Sequence, residues 1–349
     1  MDPNPSSVGP TPYNWTKPIH FPDPVYDTSQ NPLTEEGIRL GMFLFYDGVF
    51  SRTNVVGCGT CHQQQAAFTH HGHELSHGVD DLVGIRNSLP IQNIAWSPTF
   101  FWDGGVHDLD LSPLNAVTNP VELDETMPSI IKKLKNRSAY EARMPINYPY
   151  LFKAAFGTED ITSSRMLKAL SQFMLTMISA TSKYDFLFMG DRTALNAQEI
   201  RGLSLFQKNC ASCHSGVLFT DHSFRNNGLQ PARINDLGRY EISGKDTDRY
   251  KFKVPSLRNV AVTSPYMHDG RYRSLEEVLK HYTESIPVFV DSESEAVQTL
   301  DPLLANPQIP GISLTAEEQK DIIAFLNALT DEIFLKNIAL ADPGIGNAF

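Results

Sequence analysis

Two C-x-x-C-H motifs, at residues 58–62 and 210–214, constrain the fold of this chain more than any other feature of its sequence. The pattern is typical of covalent c-type haem attachment, in which two thiols bind the porphyrin and the histidine that follows them ligates the iron. The residues concerned are Cys58, Cys61, His62, Cys210, Cys213 and His214. Because the chain has 4 cysteines in all, these motifs use every one of them. The sequence therefore predicts a protein folded around two haem c groups.

Three other uses of paired cysteines fit this sequence less well. The two knuckles of a zinc ribbon usually lie close together in sequence and do not need a histidine after each pair. Disulfides within each motif would close only very short loops, so they would stabilise a chain of 349 residues very little. A thioredoxin-like redox pair needs a βαβ context, which surrounds neither motif. Covalent haem is therefore the preferred interpretation.

Length, charge and hydropathy limit the partners of this chain. Its 349 residues are enough for two domains, each with its own core. The formal charge of −11 argues against nucleic acid and anionic membrane surfaces, which attract basic patches, and it suits a basic protein partner. No apolar run reaches the length of a membrane-spanning helix. We therefore predict no nucleic-acid partner and no transmembrane segment.

Residues 1–32 differ in composition from the rest of the chain. They are rich in proline and show no helical periodicity, which predicts an extended arm. They also lack the charged start and the apolar core of a secretory signal. Since c-type haem is attached outside the bacterial cytoplasm, we expect that a signal has been removed and that the protein is periplasmic.

A repeated segment before each haem motif indicates two similar units. Residues 33–39 read L-T-E-E-G-I-R and lead into Leu44-Phe45, while residues 195–201 read L-N-A-Q-E-I-R and lead into Leu205-Phe206. Each segment is typical of an amphipathic helix. The predicted fold is mainly α, with two cytochrome c-like domains at 33–185 and 186–349 that carry one haem each. Long loops would lie at the interdomain region, and the C-terminal tail would be free to pack back on the N-terminal domain.

Local signals predict further helices and one loop-built site. The spacing of apolar residues favours helices at 127–137, 148–156 and 163–181. Residues able to form capping boxes predict helix starts at Asn196, Ser274 and Thr315. The stretch 68–121 is long, rich in Gly, Asn and His, and without periodicity. Long ordered loops of this kind usually form functional sites.

Several loop motifs give the chain a specific resemblance. They are R-N-S at 86–88, F-W-D-G at 101–104, N-P-V-E at 119–122, V-P-S-L-R-N at 254–259 and P-Y-M-H-D-G at 265–270. Together with both haem motifs in the same order, they make the chain resemble the bacterial di-haem cytochrome c peroxidases and their MauG-type relatives from about residue 33 to residue 328. In that family the N-terminal haem reacts with peroxide, and the C-terminal haem stores or relays electrons.

The resemblance implies roles for individual residues around the haems. His62 and His214 would be the proximal iron ligands of the first and the second haem. Glu122 aligns with the active-site glutamate of the family. Trp102 aligns with the tryptophan between the two haems.

Two further metal-binding assignments follow from the resemblance. Asn87, Thr263 and Pro265 match the ligands of an interdomain Ca²⁺ ion, the last two through main-chain oxygens, which suit a hard cation. The peroxidases use a histidine in the loop after the first motif as a removable distal ligand, and His77 is the nearest match. Loop histidines are more often solvated or hydrogen-bonded than ligating. A vacant peroxide site is therefore the preferred interpretation, with His77 as distal ligand the alternative.

The sequence departs from the peroxidases near the second haem. Where those enzymes have a methionine in the helix after the P-Y-x-H-D-G loop, this chain has Tyr282, as MauG-type proteins do. A phenolate stabilises high-valent iron and lowers the reduction potential, while a thioether raises it. A core tyrosine with a satisfied hydroxyl is the alternative role for Tyr282, and Met267 is a rival ligand. Lys208 occupies the place of a surface tryptophan through which MauG oxidises its protein substrate.

These features leave three functions to compare. The first is a di-haem peroxidase that reduces hydrogen peroxide with electrons from a small c-type cytochrome or cupredoxin. The second is a MauG-like enzyme that oxidises a partner protein, which Tyr282 favours and Lys208 disfavours. The third is a non-catalytic electron carrier, against which Glu122 and Trp102 count. We predict the peroxidase, and the oligomeric state stays open, with a homodimer as one alternative.

Overall fold

The computed structural model describes residues 10–137, 146–231, 234–284, 286, 300–305 and 311–345. Helices dominate this part of the chain: α1 Glu35–Tyr46, α2 Cys58–Cys61, α3 Ser112–Thr118, α4 Met127–Lys135, α5 Tyr148–Phe156, α6 Ser163–Leu175, α7 Lys183–Phe188, α8 Ala197–Asn209, α9 Tyr240–Ser243, α10 Leu275–Thr283, α11 Ala316–Asn327 and α12 Glu332–Leu335. Strand β1, Phe224–Arg225, pairs antiparallel with β2, Phe252–Lys253. None of the described helices combines the length and the apolar character that crossing a bilayer requires.

Side-chain caps begin three helices where the sequence predicts. The side chain of Asn196 accepts a hydrogen bond from the backbone N–H of Glu199 at 2.9 Å, and the Glu199 carboxylate accepts one from the N–H of Asn196 at 2.7 Å. The same reciprocal arrangement begins α10 at Ser274 and α11 at Thr315. Because each box satisfies N–H groups that a helix start leaves unpaired, it defines the first turn. The three predicted starts are confirmed.

For the other three predicted helices, the predicted C-terminal ends agree with the structure to different degrees. The predicted helix at 148–156 agrees with α5, and the one at 127–137 ends at 135 in α4. The predicted helix at 163–181 is wrong at its end, because α6 stops at Leu175. Beyond it, the hydroxyl of Ser179 and the N–H of Thr181 donate to the buried Asp331 carboxylate at 3.0 and 2.8 Å. These tertiary hydrogen bonds hold the segment out of the helix, although the apolar spacing continues.

Two clusters of buried apolar side chains follow one another along the chain. The first consists mainly of residues between 21 and 180, and the second of residues between 195 and 329. In the first cluster α1 packs on α6, and in the second α8 packs on α11. Each helix that precedes a haem motif thus lies against a long helix of its own cluster. The predicted boundary at 185/186 falls between the clusters, and we keep it as the proposed division.

Both ends of the described chain cover the first cluster. Phe21 of the N-terminal arm is 3% exposed, and its ring meets that of Trp96 edge-on at 4.9 Å. After α11, the chain returns to the first cluster, where Leu340 and Ile345 are buried. The hydroxyl of Tyr46 donates to the carbonyl of Leu340 at 2.6 Å. The arm and the tail therefore enclose the helix that leads to the first haem motif.

The crossing of α8 and α11 depends on a glycine. A Cβ atom at Gly202 would lie 1.9 Å from the carbonyl oxygen of Asp321, which is rigid helix backbone. We expect Gly202→Ala to lower the free energy of unfolding by about 1–3 kcal/mol, because overpacking outweighs the gain in helix propensity. Urea unfolding of the holoprotein measures this difference. The exposed Ser204→Ala in the same helix is the control, and an unchanged stability of Gly202→Ala would contradict the close crossing.

Candidate functional site

The first haem motif is held by a single helical turn, α2. The side-chain hydroxyl of Thr60 accepts a hydrogen bond from the N–H of Gly57 at 3.1 Å, which closes this turn. Burial raises the pKa of Cys58 and Cys61 to about 12, so both are neutral thiols inside the protein rather than exposed thiolates. The turn therefore carries two half-buried thiols that form no disulfide.

The histidine of the first motif is oriented by its backbone neighbour. The Nδ1–H of His62 donates to the carbonyl of Phe68 at 2.7 Å. Because a carbonyl can only accept, this bond selects the tautomer that leaves Nε2 free as a ligand. Burial lowers the pKa of His62, which favours the neutral imidazole that metal binding needs.

The second motif repeats this arrangement after α8. The Nδ1 of His214 lies 3.2 Å from the carbonyl oxygens of both Phe219 and Pro255, so it carries the proton and Nε2 is free. Burial raises the pKa of Cys210 to about 12 and also raises that of Cys213. Both motifs thus combine two half-buried thiols with an imidazole whose Nε2 is free.

A largely apolar cavity lies against the second motif. It is lined by Cys210, Cys213 and His214 together with side chains from α8, α10 and α11, namely Phe206, Leu275, Leu279, Ile322 and Leu326. A flat apolar ring system attached through both sulfurs would fit this lining. The observed donor set, two thiols and a free Nε2, fits the haem c that the sequence predicts.

Tyr282 lines the same cavity from α10. Its hydroxyl accepts a hydrogen bond from the side-chain amide of Asn227 at 3.3 Å, and that amide nitrogen is also 3.5 Å from the sulfur of Met267. The two rival ligands therefore meet at one amide. Burial raises the pKa of Tyr282 to about 12, so its phenolate form needs a cation beside it, and iron would provide that charge.

Glu122 lies near the first motif. Its negative charge contributes to the raised pKa of the Cys61 thiol. The side-chain N–H of Asn119 donates to Glu122 Oε1 at 2.8 Å and orients the carboxyl group. Burial raises the pKa of Glu122, and the Asn119 hydrogen bond opposes this shift only in part. A carboxyl group in this environment is suited to both taking and giving a proton.

Trp102 lies where the two halves of the chain meet. It is 8% exposed, and its indole N–H donates to the carbonyl of Asn87 at 2.8 Å. Its own carbonyl accepts a hydrogen bond from the N–H of Lys253, also at 2.8 Å. The ring lines the cavity of the second motif. Sequence reasoning missed Lys253, which lines the same cavity.

The three residues predicted to bind calcium also line this cavity: Asn87, Thr263 and Pro265. The side-chain N–H groups of Asn87 donate to the carbonyls of His73 and Glu74 at 3.2 and 3.0 Å. This orientation leaves the amide oxygen of Asn87 available as a ligand. Within the described ranges, no group of three or more His, Cys, Asp or Glu side chains could hold a metal ion. The predicted set of amide and main-chain oxygens is nevertheless one that Ca²⁺ accepts.

His77 belongs to a cluster of three histidine rings, in which His70 and His73 stack and His73 meets His77 edge to face. The ring centroids of His70 and His73 are 4.1 Å apart, and those of His73 and His77 are 4.6 Å apart. The Nδ1 of His77 lies 2.8 Å from the Asp81 carboxylate. His70 is buried, and this burial with the neighbouring histidines lowers its pKa to about 4. The sequence shows that these histidines lie in one loop, but the contacts between their rings depend on the folded path of that loop.

Proteins of known sequence are similar to this chain over most of its length. A family model for di-haem cytochrome c peroxidase matches residues 35–193. The methylamine utilization protein MauG of Methylorubrum extorquens is 34% identical over 322 residues, which cover 89% of this chain and 83% of that protein. The cytochrome c551 peroxidase of Nitrosomonas europaea is 29% identical over 310 residues, which cover 86% of this chain and 82% of that protein.

Solved structures share the fold. The crystal structure of a MauG-like protein associated with microbial copper homeostasis aligns with a TM-score of 0.81 and 31% identity, covering 95% of this chain and 99% of that chain. The di-haem peroxidase BthA from Burkholderia thailandensis aligns with a TM-score of 0.73 at 19% identity, covers 93% of each chain, and shows similarity in fold alone. Given a relative that is 34% identical over most of both chains, this chain belongs to the di-haem cytochrome c peroxidase family of oxidoreductases, to which MauG is related.

Proposed function

We propose that the protein reduces hydrogen peroxide at the haem attached to Cys58 and Cys61. The observation that supports this most directly is Glu122, a half-buried carboxyl group with a raised pKa beside the first motif. An electron carrier needs no acid at this place. Each turnover would consume one peroxide, two electrons and two protons, and it would release two water molecules.

The residues around the first motif suit this reaction. Haem held by Cys58, Cys61 and His62 would supply the iron centre at which the O–O bond is cleaved. The Glu122 carboxylate would take the proton from one peroxide oxygen and give it to the other, so that water leaves rather than hydroxide. The Asn119 hydrogen bond at 2.8 Å keeps Glu122 Oε1 in one orientation during this transfer.

Electrons would reach the first haem through the second one, held by Cys210, Cys213 and His214. Trp102 lies between the two halves and lines the second cavity, so it is the residue best placed to couple the two centres. The formal charge of −11 suits a basic donor such as a small c-type cytochrome or a cupredoxin.

Tyr282 favours a second candidate function, the oxidation of a partner protein as in MauG. A phenolate ligand would lower the potential of the second haem and would make the oxidised state long-lived. The 34% identity to MauG supports this candidate. Lys208 is exposed at the end of α8, and a lysine cannot carry an oxidising equivalent, so a partner would have to be oxidised by another route.

One experiment separates these functions. After a pyridine haemochrome spectrum has confirmed two haem c groups, the ferric holoprotein is given one equivalent of peroxide, and then reduced basic cytochrome c. We expect a peroxide-dependent spectral change followed by rapid oxidation of the cytochrome. A stable two-electron-oxidised state that does not react with the cytochrome would favour the MauG-like function. A protein with two haems and no spectral response to peroxide would contradict both.

Two further assignments belong to this proposal. A Ca²⁺ ion would be held by the side-chain oxygen of Asn87 and the main-chain oxygens of Thr263 and Pro265. The protein would act in the periplasm, because c-type haem is attached outside the bacterial cytoplasm. A homodimer remains an untested alternative to a monomer.

A further inference from the structure

Residues 86–106 and 252–272 repeat the same turns at a constant separation, although the Ser264–Pro265 peptide is cis and the corresponding Pro98–Thr99 peptide is not. Gln92 and Arg258, which lie 166 positions apart in sequence, are counterparts in this repeat. At the same separation, paired residues adopt the left-handed backbone region with closely similar φ values, and a bridge closes each loop at 2.8 and 2.7 Å. The left-handed pairs are Asn93 with Asn259, Phe101 with Met267, and Gly104 with Gly270, and the bridges run from Phe100 to Val106 and from Tyr266 to Tyr272.

The two loops also bind each other in a reciprocal way. The N–H of Asn87 donates to the carbonyl of His268 at 2.7 Å, and the N–H of Lys253 donates to the carbonyl of Trp102 at 2.8 Å. Lys253 is the counterpart of Asn87, and His268 is the counterpart of Trp102. The two hydrogen bonds are therefore one contact made twice, related by a local two-fold axis. Lys253 occupies in one loop the position that Asn87 occupies in the other.

The side chain of Lys253 ends at the counterparts of two proposed calcium ligands. Its ammonium group donates to the carbonyl of Thr99 and to the hydroxyl of Ser97. In the repeat, Thr99 corresponds to Pro265 and Ser97 to Thr263. The main-chain oxygen of Thr99 binds the Lys253 ammonium, as the main-chain oxygen of Pro265 is proposed to bind Ca²⁺. Ser97 differs from Thr263, because it binds the ammonium through its hydroxyl and not through its main-chain oxygen.

Lys253 is an unusual lysine for a protein interior. It is 9% exposed, and no carboxylate forms an ion pair with it in the described residues. Burial lowers its pKa to about 8, so the side chain is still mainly an ammonium at pH 7. Because burying a cation without a counter-ion is costly, such a residue is expected where oxygen atoms converge on a place for a positive charge.

We propose that the Lys253 ammonium is a built-in cation. At the oxygens of Ser97 and Thr99 it takes the place that corresponds to the divalent-ion site of Asn87, Thr263 and Pro265. This inference rests on the calcium assignment in the proposed function and deepens it. The protein would need one external hard cation because its own side chain supplies the other. Both charges would lie beside the reciprocal hydrogen bonds that hold Trp102 and His268.

The substitution Lys253→Asn tests this inference, because it gives residues 252–272 the side chain that residues 86–106 have at the corresponding position, Asn87. The holoprotein is treated with a chelator, the chelator is removed, and Ca²⁺ is titrated at pH 7 by isothermal titration calorimetry. We expect the variant to bind one more Ca²⁺ per chain than the unmodified protein. Lys208→Asn, at an exposed lysine, is the control and should bind the same number as the unmodified protein.

An unchanged Ca²⁺ stoichiometry in Lys253→Asn would overturn the inference. If the unmodified protein binds no Ca²⁺, the calcium assignment is wrong, but the difference between variant and unmodified protein still tests Lys253. Should Lys253→Asn fail to fold, Asn87→Lys places an ammonium group at the proposed site of Asn87, Thr263 and Pro265 instead. We expect that variant to bind one Ca²⁺ fewer and to unfold at a temperature that a chelator does not change. An unchanged stoichiometry in Asn87→Lys would also overturn the inference.

Discussion

Glu122→Gln is expected to lower kcat/KM for peroxide by on the order of 10²–10⁴-fold, the usual contribution of a positioned acid–base group. The amide keeps the oxygen that accepts the 2.8 Å hydrogen bond from Asn119, so the local structure should persist. It cannot take a proton from peroxide, which removes the transfer on which water release depends. Steady-state peroxide reduction at pH 7, with haem content checked by a pyridine haemochrome spectrum, measures the effect.

Asp124→Asn is the matched control for this prediction. Asp124 lies two positions further along the chain, its side chain is 40% exposed, and it pairs with Arg52 at 2.7 Å on the surface. Asp124→Asn changes the net charge by the same amount as Glu122→Gln but leaves the half-buried carboxyl group of Glu122 in place. We expect near-normal turnover. Full peroxide turnover in Glu122→Gln would show that another group moves the proton.

Tyr282→Met is expected to raise the reduction potential of the second haem by a considerable part of the about 0.8 V over which axial ligands set haem potentials. A thioether stabilises the reduced iron, whereas a phenolate stabilises the oxidised iron. The same variant should lose any stable two-electron-oxidised state after peroxide. Spectroelectrochemical titration of the holoprotein measures the potential, and the visible spectrum reports the change of ligand.

Two variants test whether this effect belongs to Tyr282. Tyr266 lines the same cavity, and its hydroxyl donates to the carbonyl of Val260 at 3.0 Å, so Tyr266→Phe should leave the potential nearly unchanged. Met267 shares the Asn227 amide with Tyr282. An unchanged potential in Tyr282→Met, with a shift in Met267→Leu, would identify Met267 as the ligand instead.

Local signals predicted the helix starts well and one helix end poorly. The capping boxes at Asn196, Ser274 and Thr315 act within a single turn, so the sequence contains everything that their geometry needs. The end of α6 depends on Asp331, whose carboxylate binds Ser179 and Thr181 from far along the chain. No pattern around residue 175 could reveal a partner so distant in sequence.

The sequence likewise predicted some features of the candidate site and not others. Resemblance supplied the residue types at Glu122, Trp102 and Tyr282, but it did not indicate that Met267 and Tyr282 contact one amide. Lys253 was missed because a lysine in a loop is normally a solvated surface charge. The similarity between residues 86–106 and 252–272, which lie 166 positions apart, is weak in the sequence. The reciprocal hydrogen bonds between the two segments reveal it in the structure.

The sequence by itself determined the two haem motifs, their histidines, the helix that precedes each of them and the family of the chain. These features depend on covalent spacing and on contacts within one or two turns, which the order of residues specifies directly. Only the tertiary structure decided where Glu122 lies, how the three histidine rings contact one another and where the Lys253 ammonium ends. Those arrangements arise from loops that meet across the two halves, where hydrogen bonds between distant residues, rather than local preference, choose the backbone path.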